Sequence, residues 1–401
     1  GGRSRDARSG KGFVTRVIRV GLCQMDPHVG DLAGNRARIR ELILKARDHG
    51  CQIAVLPELA ITGYPPEDLL LNRSFLRESM EAVESLAAEI GGIVALVGCV
   101  EVERDLVFNS VAVIVDGEVR GHARKMRLPN YGVFDERRYF TPGEHASVLS
   151  VDGVRIGVSI CEDIWLSGDP CEAACAAGAQ LLVNASASPF HAGKGRERFE
   201  MLAARAREHG VPIAYCAMVG GQDELVFDGQ SLVIDGAGQL IGRGPQFEEG
   251  LVVAEIDVPP SSAVRTEGAV NIGDFEHGGY GRTGSKSDLS PELDADTEVE
   301  QALILGLRSY VLKNGFNGVV LGVSGGIDSA VAATLAVDAV GRDRVHGVVM
   351  PSPWSSDETQ ADARSLCANL GIEMIELPIA SAMAAFAETL EHAPSGPGAS
   401  L

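Results

Sequence analysis

Apolar and polar positions follow two different periods along most of the chain. Short apolar runs, such as residues 17–25 and 181–185, predict buried β-strands, whereas residues 35–49 carry apolar positions at helical spacing and predict an amphipathic helix. The same reasoning predicts further strands at 53–56, 93–101, 107–115, 155–160, 213–218, 230–234 and 251–256, and further helices at 75–90 and 196–209. The alternation of the two kinds of element predicts a layered α/β fold.

The pattern breaks at two places, which suggest how the chain is divided. Residues 1–16 are basic, rich in Gly and Ser and without periodicity, and we interpret them as a disordered extension. After Val258 the composition changes to a stretch rich in Pro, Gly, Ser and Asp, which is typical of a linker or a wrapping arm. We therefore predict a first domain at 17–258, a linker or arm at 259–295 and a second domain at 296–401.

The second predicted domain contains a glycine-rich loop that is a candidate phosphate-binding site. Directly after the apolar run 319–323 stands the hexapeptide Ser324-Gly325-Gly326-Ile327-Asp328-Ser329, which is followed by a helical pattern. A strand, a tight turn and a helix N-terminus in this order form a cradle for pyrophosphate. The Lys of a Walker loop is missing, and the carboxylate of Asp328 would repel phosphates unless a cation lay between them. The loop therefore predicts a nucleotide together with Mg²⁺ bound at Asp328, and the alternative is an ordinary capped helix.

The hexapeptide resembles the signature of the ATP pyrophosphatase superfamily, whose members cleave ATP to adenylate a substrate. The segment from Met350 to Ser356, followed by Asp362-Ala363, is similar to the second motif of its NAD synthetase branch. The resemblance implies a doubly wound parallel α/β nucleotide-binding domain and places Met350 at the ATP site.

Composition narrows the classes of partner. The formal net charge of −20 argues against nucleic acid, which is bound by clustered Lys and Arg. The eight cysteines include no Cys-x-x-Cys pair and are typical of reduced thiols in a cytoplasmic protein. No apolar run reaches the length of a membrane span. We therefore predict a cytoplasmic protein without nucleic acid or membrane partners.

Three chemically distinctive residues follow strands of the first domain. Glu58, Lys125 and Cys161 each stand where a predicted strand ends, and active sites of α/β proteins assemble at strand ends. Any one of them alone would be unremarkable, since a single Glu or Lys is usually a surface group and a single Cys usually a small buried residue. Together they predict a thiol nucleophile with an acid–base partner and a cation.

The trio resembles the Glu-Lys-Cys triad of the nitrilase superfamily, and the similarity extends over residues 17–258. It implies an α-β-β-α sandwich in which Cys161 forms a thioester, Glu58 moves protons and Lys125 holds the oxyanion. It further implies that Glu136 positions Lys125, although Glu136 could also be plain surface charge. Residues implied to hold a glutamine substrate are Tyr131, Ser188 and Lys194.

A nitrilase-type amidase joined to an ATP pyrophosphatase domain resembles the glutamine-dependent NAD synthetases. The resemblance implies glutamine, ATP and nicotinic acid adenine dinucleotide as substrates, Mg²⁺ as cofactor and a homo-oligomer. Two alternatives stay open: a nitrilase-superfamily amidase with an inert nucleotide-binding appendage, and a non-catalytic nucleotide-binding regulator. Because the second domain shows only three predicted strands, at 319–323, 345–350 and 373–377, we expect it to be truncated and incomplete, and the 401-residue chain to act as a glutaminase only.

Overall fold

The structure is a computed structural model that describes residues 16–168, 170–260, 268–277 and 287–391. The chain divides into two compact units, one ending at Glu298 and the other beginning at Val299. The second unit thus begins three residues after residue 296, the predicted start of the second domain.

The described strands and helices are numbered in chain order. The strands are β1 (Arg16–Gln24), β2 (Ile53–Val55), β3 (Val94–Glu103), β4 (Leu106–Val115), β5 (Glu118–Arg124), β6 (Ala146–Val151), β7 (Val154–Ile160), β8 (Leu181–Ser186), β9 (Ile213–Ala217), β10 (Val219–Gln222), β11 (Leu225–Asp228), β12 (Leu232–Ile234), β13 (Leu240–Arg243), β14 (Gly250–Val258), β15 (Ala269–Phe275), β16 (Val319–Gly322), β17 (Val345–Val349) and β18 (Glu373–Glu376). The α-helices are α1 (Leu32–Asp48), α2 (Arg73–Ala87), α3 (Cys171–Ala176), α4 (Lys194–His209), α5 (Ala295–Lys313), α6 (Ile327–Val340), α7 (Asp357–Leu370) and α8 (Ala380–Leu390).

The first unit is a sandwich of two sheets. A six-stranded sheet has the order β14-β1-β2-β3-β4-β5, and a seven-stranded sheet has the order β13-β12-β9-β8-β7-β6-β15. Apolar side chains from both sheets, such as Val20, Leu96, Ile156 and Val183, form one buried core between them. Helices α1 and α2 pack on the outside of the first sheet, and α3 and α4 on the outside of the second. The predicted α-β-β-α sandwich is therefore confirmed.

Strand pairing brings β1 and β14, which are far apart in the sequence, side by side. β1 pairs parallel with β2 on one side and antiparallel with β14 on the other, so that Arg16 lies opposite Val258. In the second sheet β7, β8 and β9 run parallel, with Ile160 opposite Ala185 and Asn184 opposite Tyr215. Because the carboxyl ends of parallel strands meet at one edge, the residues that follow β7 and β8 come close together.

The segment predicted to be a linker or a wrapping arm contains a strand, β15. β15 pairs parallel with β6 and adds an edge to the seven-stranded sheet. Ile272 and Phe275 of β15 pack against the core between the sheets. The segment therefore acts as an arm that lies on the first unit, which is the other reading that its composition allowed.

The second unit has a parallel sheet of three strands in the order β16-β17-β18. Helices α6 and α7 connect successive strands, and their small residues Ala336, Ala363 and Cys367 pack on Val345 and Val349 of β17. All four residues of β18 are exposed.

Over the residues that the structure describes, no helix combines the length and the apolar character needed to cross a membrane.

Candidate active site and nucleotide-binding loop

Cys161 directly follows β7, in a tight turn. Its φ of 42° is in the left-handed region, where a residue with a side chain is strained, and a short 3₁₀ helix begins there. The thiol is buried, with 4% of the residue exposed. A strained turn directly after a central strand holds the sulfur in one place at the carboxyl edge of the sheet.

Glu58, Lys125 and Glu136 form a buried charged group. Lys125 Nζ lies 2.7 Å from Glu58 Oε1 and 2.8 Å from Glu136 Oε1. Glu58 follows β2 and Lys125 follows β5, so that both come from ends of strands in the six-stranded sheet. The structure thus brings together the residues predicted to work as a unit, and it places Glu136 in the buried site.

Three polar groups hold the two carboxylates, and the sequence pattern did not indicate them. Asn109 Nδ2 donates to Glu58 Oε1 at 2.7 Å, and the backbone N–H of Ala187 donates to Glu58 Oε2 at 3.0 Å. Tyr64 Oη donates to Glu136 Oε1 at 3.0 Å. Asn109 is a polar residue within the apolar strand β4. That interruption was the one sequence signal that could have marked Asn109 as part of the site.

The electrostatics of the group favour a charged Lys125 beside a neutral thiol. Burial alone would lower the pKa of Lys125, but the carboxylates of Glu58 and Glu136 raise it well above its usual value. Burial, followed by the negative charge of Glu58, raises the pKa of Cys161, while the positive charge of Lys125 opposes that shift. Burial also raises the pKa of Glu136, to about 7. The thiol is therefore protonated at rest and needs a base in order to react.

Asp163 joins the loops that carry the nucleophile and the lysine. Its Oδ2 accepts from Ile160 N at 3.0 Å, and its Oδ1 accepts from Met126 N at 3.1 Å and from Arg127 N at 2.8 Å. The side chain is buried, and burial raises its pKa to about 6. Sequence reasoning passed over Asp163, although it stands two positions after Cys161.

The residues predicted to hold glutamine lie around the triad at greater exposure. Tyr131 is 58% exposed, and its hydroxyl lies 3.1 Å from both carboxylate oxygens of Glu162. Lys194 begins α4, and its Nζ lies 3.8 Å from the centroid of the Trp165 ring. Glu162 directly follows Cys161, and Trp165 ends the 3₁₀ helix that begins at Cys161, so Tyr131 and Lys194 both contact the turn that carries the nucleophile.

Ser188 is half-buried in the turn between β8 and α4, two residues beyond the end of β8. The structure therefore places it between the Ala187 amide that binds Glu58 and the lysine that begins α4.

The loop at residues 324–329 has the predicted strand–turn–helix geometry. Gly325 has a φ of 81°, and a Cβ there would lie 2.1 Å from the carbonyl oxygen of Thr359, so only glycine fits. Ser324 Oγ and Ser329 Oγ lie 3.1 Å apart and close the turn. No side chain caps the N-terminus of α6 at Gly326, which leaves its first N–H groups available to an anion.

Met350 and Ser324 line one cavity. The cavity has a volume of about 200 Å³ and lies between the ends of β16 and β17 and the start of α7. Asp328 stands in the first turn of α6 and is exposed. A carboxylate is the kind of ligand that Mg²⁺ prefers, with phosphate oxygens and water completing its octahedron. In the described ranges, His, Cys, Asp and Glu form no group of three or more that could hold a metal.

Two family models match the chain. The carbon-nitrogen hydrolase model matches residues 19–266, and the NAD synthase model matches residues 299–397. The two matches correspond to the two compact units and to the two sets of candidate site residues.

Individual relatives agree with this division. The glutamine-dependent NAD(+) synthetase of Thermotoga maritima is 41% identical over 93% of this chain and 67% of its own length. The structure of the glutamine-dependent NAD+ synthetase of Acinetobacter baumannii, in complex with adenosine diphosphate, superposes with a TM-score of 0.83 at 33% identity, over 95% of this chain and 69% of that one. An amidase from Nesterenkonia sp. covers 60% of this chain and 90% of its own, with a TM-score of 0.53 and 29% identity. The chain spans about two thirds of the length of the curated relatives it matches.

Proposed function

The chain belongs to the glutamine-dependent NAD(+) synthetase family, and we propose that its first unit hydrolyses glutamine to ammonia. In the complete reaction of the family, ATP adenylates the carboxylate of nicotinic acid adenine dinucleotide, and ammonia then displaces AMP to give NAD. Cytoplasmic location and a homo-oligomeric state remain predictions.

Glutamine hydrolysis begins at the buried thiol. Because the pKa of Cys161 is raised, Glu58 takes the thiol proton as the sulfur attacks the amide carbon. The ammonium group of Lys125 stabilises the oxyanion that forms on the amide oxygen. Glu58 then gives its proton to the leaving nitrogen, and ammonia departs from a thioester.

Hydrolysis of the thioester restores the enzyme. Glu58 removes a proton from water, the resulting hydroxide attacks the thioester carbon, and the thiolate that leaves takes the proton back from Glu58. Asn109 and the Ala187 amide fix both oxygens of Glu58 during these transfers. Glu136 and Glu58 together keep Lys125 charged and in place.

The groups around Cys161 suit the amino-acid end of glutamine. Lys194 offers a cation for the α-carboxylate, and Tyr131 and Ser188 offer hydroxyl groups. Glu162, held by the Tyr131 hydroxyl, adds a carboxylate next to the nucleophile.

The loop at 324–329 supports ATP binding in the second unit. The free N–H groups at the start of α6 suit the pyrophosphate, and Asp328, in the first turn of the helix, would hold Mg²⁺. When bound, the ion would neutralise charge on the phosphates and on the departing pyrophosphate. Ser324 and Met350 border the cavity in which the nucleotide would lie.

The observation that carries the proposal is the buried contact of Lys125 with both Glu58 and Glu136 beside Cys161. A single assay of glutamate, pyrophosphate and NAD separates the candidate functions. Glutamate formation supports the glutaminase, and its absence would overturn it. Glutamine hydrolysis that ignores ATP and the dinucleotide favours the amidase with an inert appendage, and ATP binding with no product of either kind favours the regulator.

For the 401-residue chain itself we propose glutamine hydrolysis without NAD synthesis. The described part of the second unit has a three-stranded sheet, and every residue of its edge strand β18 is exposed. A parallel sheet is normally covered on both faces and usually has more strands.

A further inference from the structure

A second polar network approaches Cys161 from the layer of α4. Ser186 ends β8, and because Ile160 lies opposite Ala185, Ser186 lies opposite Cys161 in the strand register. Asn184 Nδ2, on the same face of β8 as Ser186, donates to the carbonyl oxygen of Cys161 at 3.4 Å. The fully buried hydroxyl of Ser186 therefore lies next to the Cys161 thiol. Neither Glu58 nor Lys125 takes part in this contact.

Ser186 is in turn bound to a buried tyrosine. Ser186 Oγ and Tyr215 Oη lie 2.5 Å apart. Tyr215 on β9 is opposite Asn184, so Asn184, Ser186 and Tyr215 share one face of the sheet. Both hydroxyl groups are fully buried, and an unpaired hydroxyl there would be costly.

A buried ion pair lies behind the tyrosine. Arg198 on α4 binds Asp228 through two hydrogen bonds, at 2.6 and 3.0 Å. The guanidinium carbon of Arg198 lies 5.7 Å from the centroid of the Tyr215 ring. Its positive charge acts on the Tyr215 phenol more strongly than the negative charge of Asp228 does. The cationic end of the pair therefore faces the hydroxyl chain.

The direction of the hydrogen bonds follows from the charges. A thiolate accepts and cannot donate, so Ser186 must point its proton at the sulfur, and Tyr215 must then donate to Ser186. Burial and the charge at Cys161 both raise the pKa of Tyr215, so the phenol keeps its proton while the thiolate exists. Each hydroxyl is polarised by the one behind it, which strengthens the donor at the sulfur.

We infer that Ser186 and Tyr215, supported by the Arg198–Asp228 pair, form a hydrogen-bond chain that stabilises the Cys161 thiolate. They are positioning residues for the nucleophile, and the inference rests on the proposed role of Cys161. Lys125 and Glu58 are bound to each other. A buried thiolate needs a hydrogen-bond donor, and the Ser186 hydroxyl supplies one from outside that pair.

The test measures the reactivity of the thiol without any substrate. The rate at which iodoacetamide alkylates Cys161 is followed against pH by mass spectrometry of the peptide that contains it, and Cys161→Ala sets the background. Ser186→Ala should raise the midpoint of the profile by about one pH unit, so that the rate at pH 7 falls about tenfold. Tyr215→Phe should shift the midpoint in the same direction by a smaller amount.

The double variant separates a chain from two independent contacts. If Tyr215 acts through Ser186, Tyr215→Phe should add no further shift once Ser186 is Ala. Ser79→Ala is the matched control, because Ser79 is equally buried in α2, its hydroxyl has no hydrogen-bond partner, and it lies outside the site. Circular dichroism establishes that each variant is folded.

The alkylation profiles and the glutaminase assay together distinguish failure of the hydrogen-bond chain from failure of the proposed function. An unchanged midpoint in both single variants, or shifts that add fully in the double variant, would overturn the chain. Parent protein that fails to hydrolyse glutamine but shows the predicted shifts would refute the proposed function and leave the chain standing. Where the glutaminase is active, kcat should fall in Ser186→Ala while KM stays unchanged.

Discussion

Asp163 accepts a 2.8 Å hydrogen bond from the backbone N–H of Arg127, and this contact joins the loop of the nucleophile to the loop of the lysine. Asp163 also accepts from Ile160 N, directly before Cys161. The two loops follow strands of different sheets. The buried carboxylate of Asp163 therefore helps to set the distance between the Cys161 sulfur and the Lys125 ammonium group. Catalytic groups need such support in order to hold their geometry.

Removing the sulfur should abolish glutamine hydrolysis. In Cys161→Ala the thioester cannot form, whereas the loss of one small atom should leave the far-ultraviolet circular dichroism unchanged. Cys175→Ala is the matched control, because Cys175 is half-buried on α3 and outside the site. Glutaminase activity that persists in folded Cys161→Ala would show that Cys161 is not the nucleophile.

Removing the charge of Lys194 should weaken glutamine binding. If Lys194 pairs with the α-carboxylate, Lys194→Met should raise KM by about 10- to 100-fold, the cost of a charged hydrogen bond, and leave kcat nearly unchanged. Steady-state kinetics measures both constants, with Lys45→Met, on the exposed face of α1, as the control. A loss confined to kcat would instead assign Lys194 to the chemical steps.

The pH dependence of stability should report on Glu136. Burial raises the pKa of Glu136 from 4.5 to about 7. The folded protein then holds this proton more tightly than the unfolded chain, which favours folding below the usual pKa and is lost as pH rises through about 7. Relative to Glu136→Gln, the parent should therefore have a lower free energy of unfolding at pH 8 than at pH 5.

Urea denaturation of the parent and of Glu136→Gln at these two pH values measures the difference. The glutamine keeps the size of the side chain and an oxygen that can accept from Lys125 and Tyr64. If the free-energy difference between the two proteins were equal at pH 5 and pH 8, Glu136 would not titrate as described.

Neutralising Asp328 should remove the effect of Mg²⁺ on ATP binding. Calorimetry of the parent should show tighter ATP binding with Mg²⁺ than without it, and Asp328→Asn should lose most of this gain. Asp338→Asn, on an exposed position of the same helix, should behave as the parent does. Binding by the parent that is independent of Mg²⁺ would remove the role given to Asp328.

Ammonia should not restore NAD synthesis in the 401-residue chain. Ammonia in excess bypasses the glutaminase, so this assay with ATP, Mg²⁺ and nicotinic acid adenine dinucleotide tests the second unit alone. We expect glutamate from glutamine in a parallel reaction and no NAD. NAD formed at an enzymatic rate would show that the second unit is competent as it stands.

The sequence indicated those candidate site residues that have reactive side chains and directly follow predicted strands. Glu58, Lys125 and Cys161 follow strands, and the topology of a sandwich brings such positions to one edge, so local sequence was enough. Asn109, Tyr215 and Asp163 were missed because their roles depend on partners in other strands or loops. A buried polar residue in an apolar run shows that a partner exists but does not say which one it is.

The strand β15 within the predicted linker or arm was missed for a different reason. Val270 and Ile272 alternate with polar residues, but the register shifts between Asn271 and Asp274, so that Phe275 rather than the residue before it packs on the core. A bulge changes the period of the apolar pattern, and a search for strict alternation then finds no strand. The Gly and Ser on either side strengthened the impression of a linker.

The pairing of β1 with β14 has a consequence for synthesis on the ribosome. The six-stranded sheet has its first-made strand beside its last, so β1 keeps one open edge until Val258 has left the exit tunnel. Pairing between such distant segments is slow to form, and an open edge can recruit strands from other nascent chains. The thiol of Cys161 is therefore made long before the sheet that buries it is closed, and a translation pause after β14 would give the sandwich time to close before the next unit emerges.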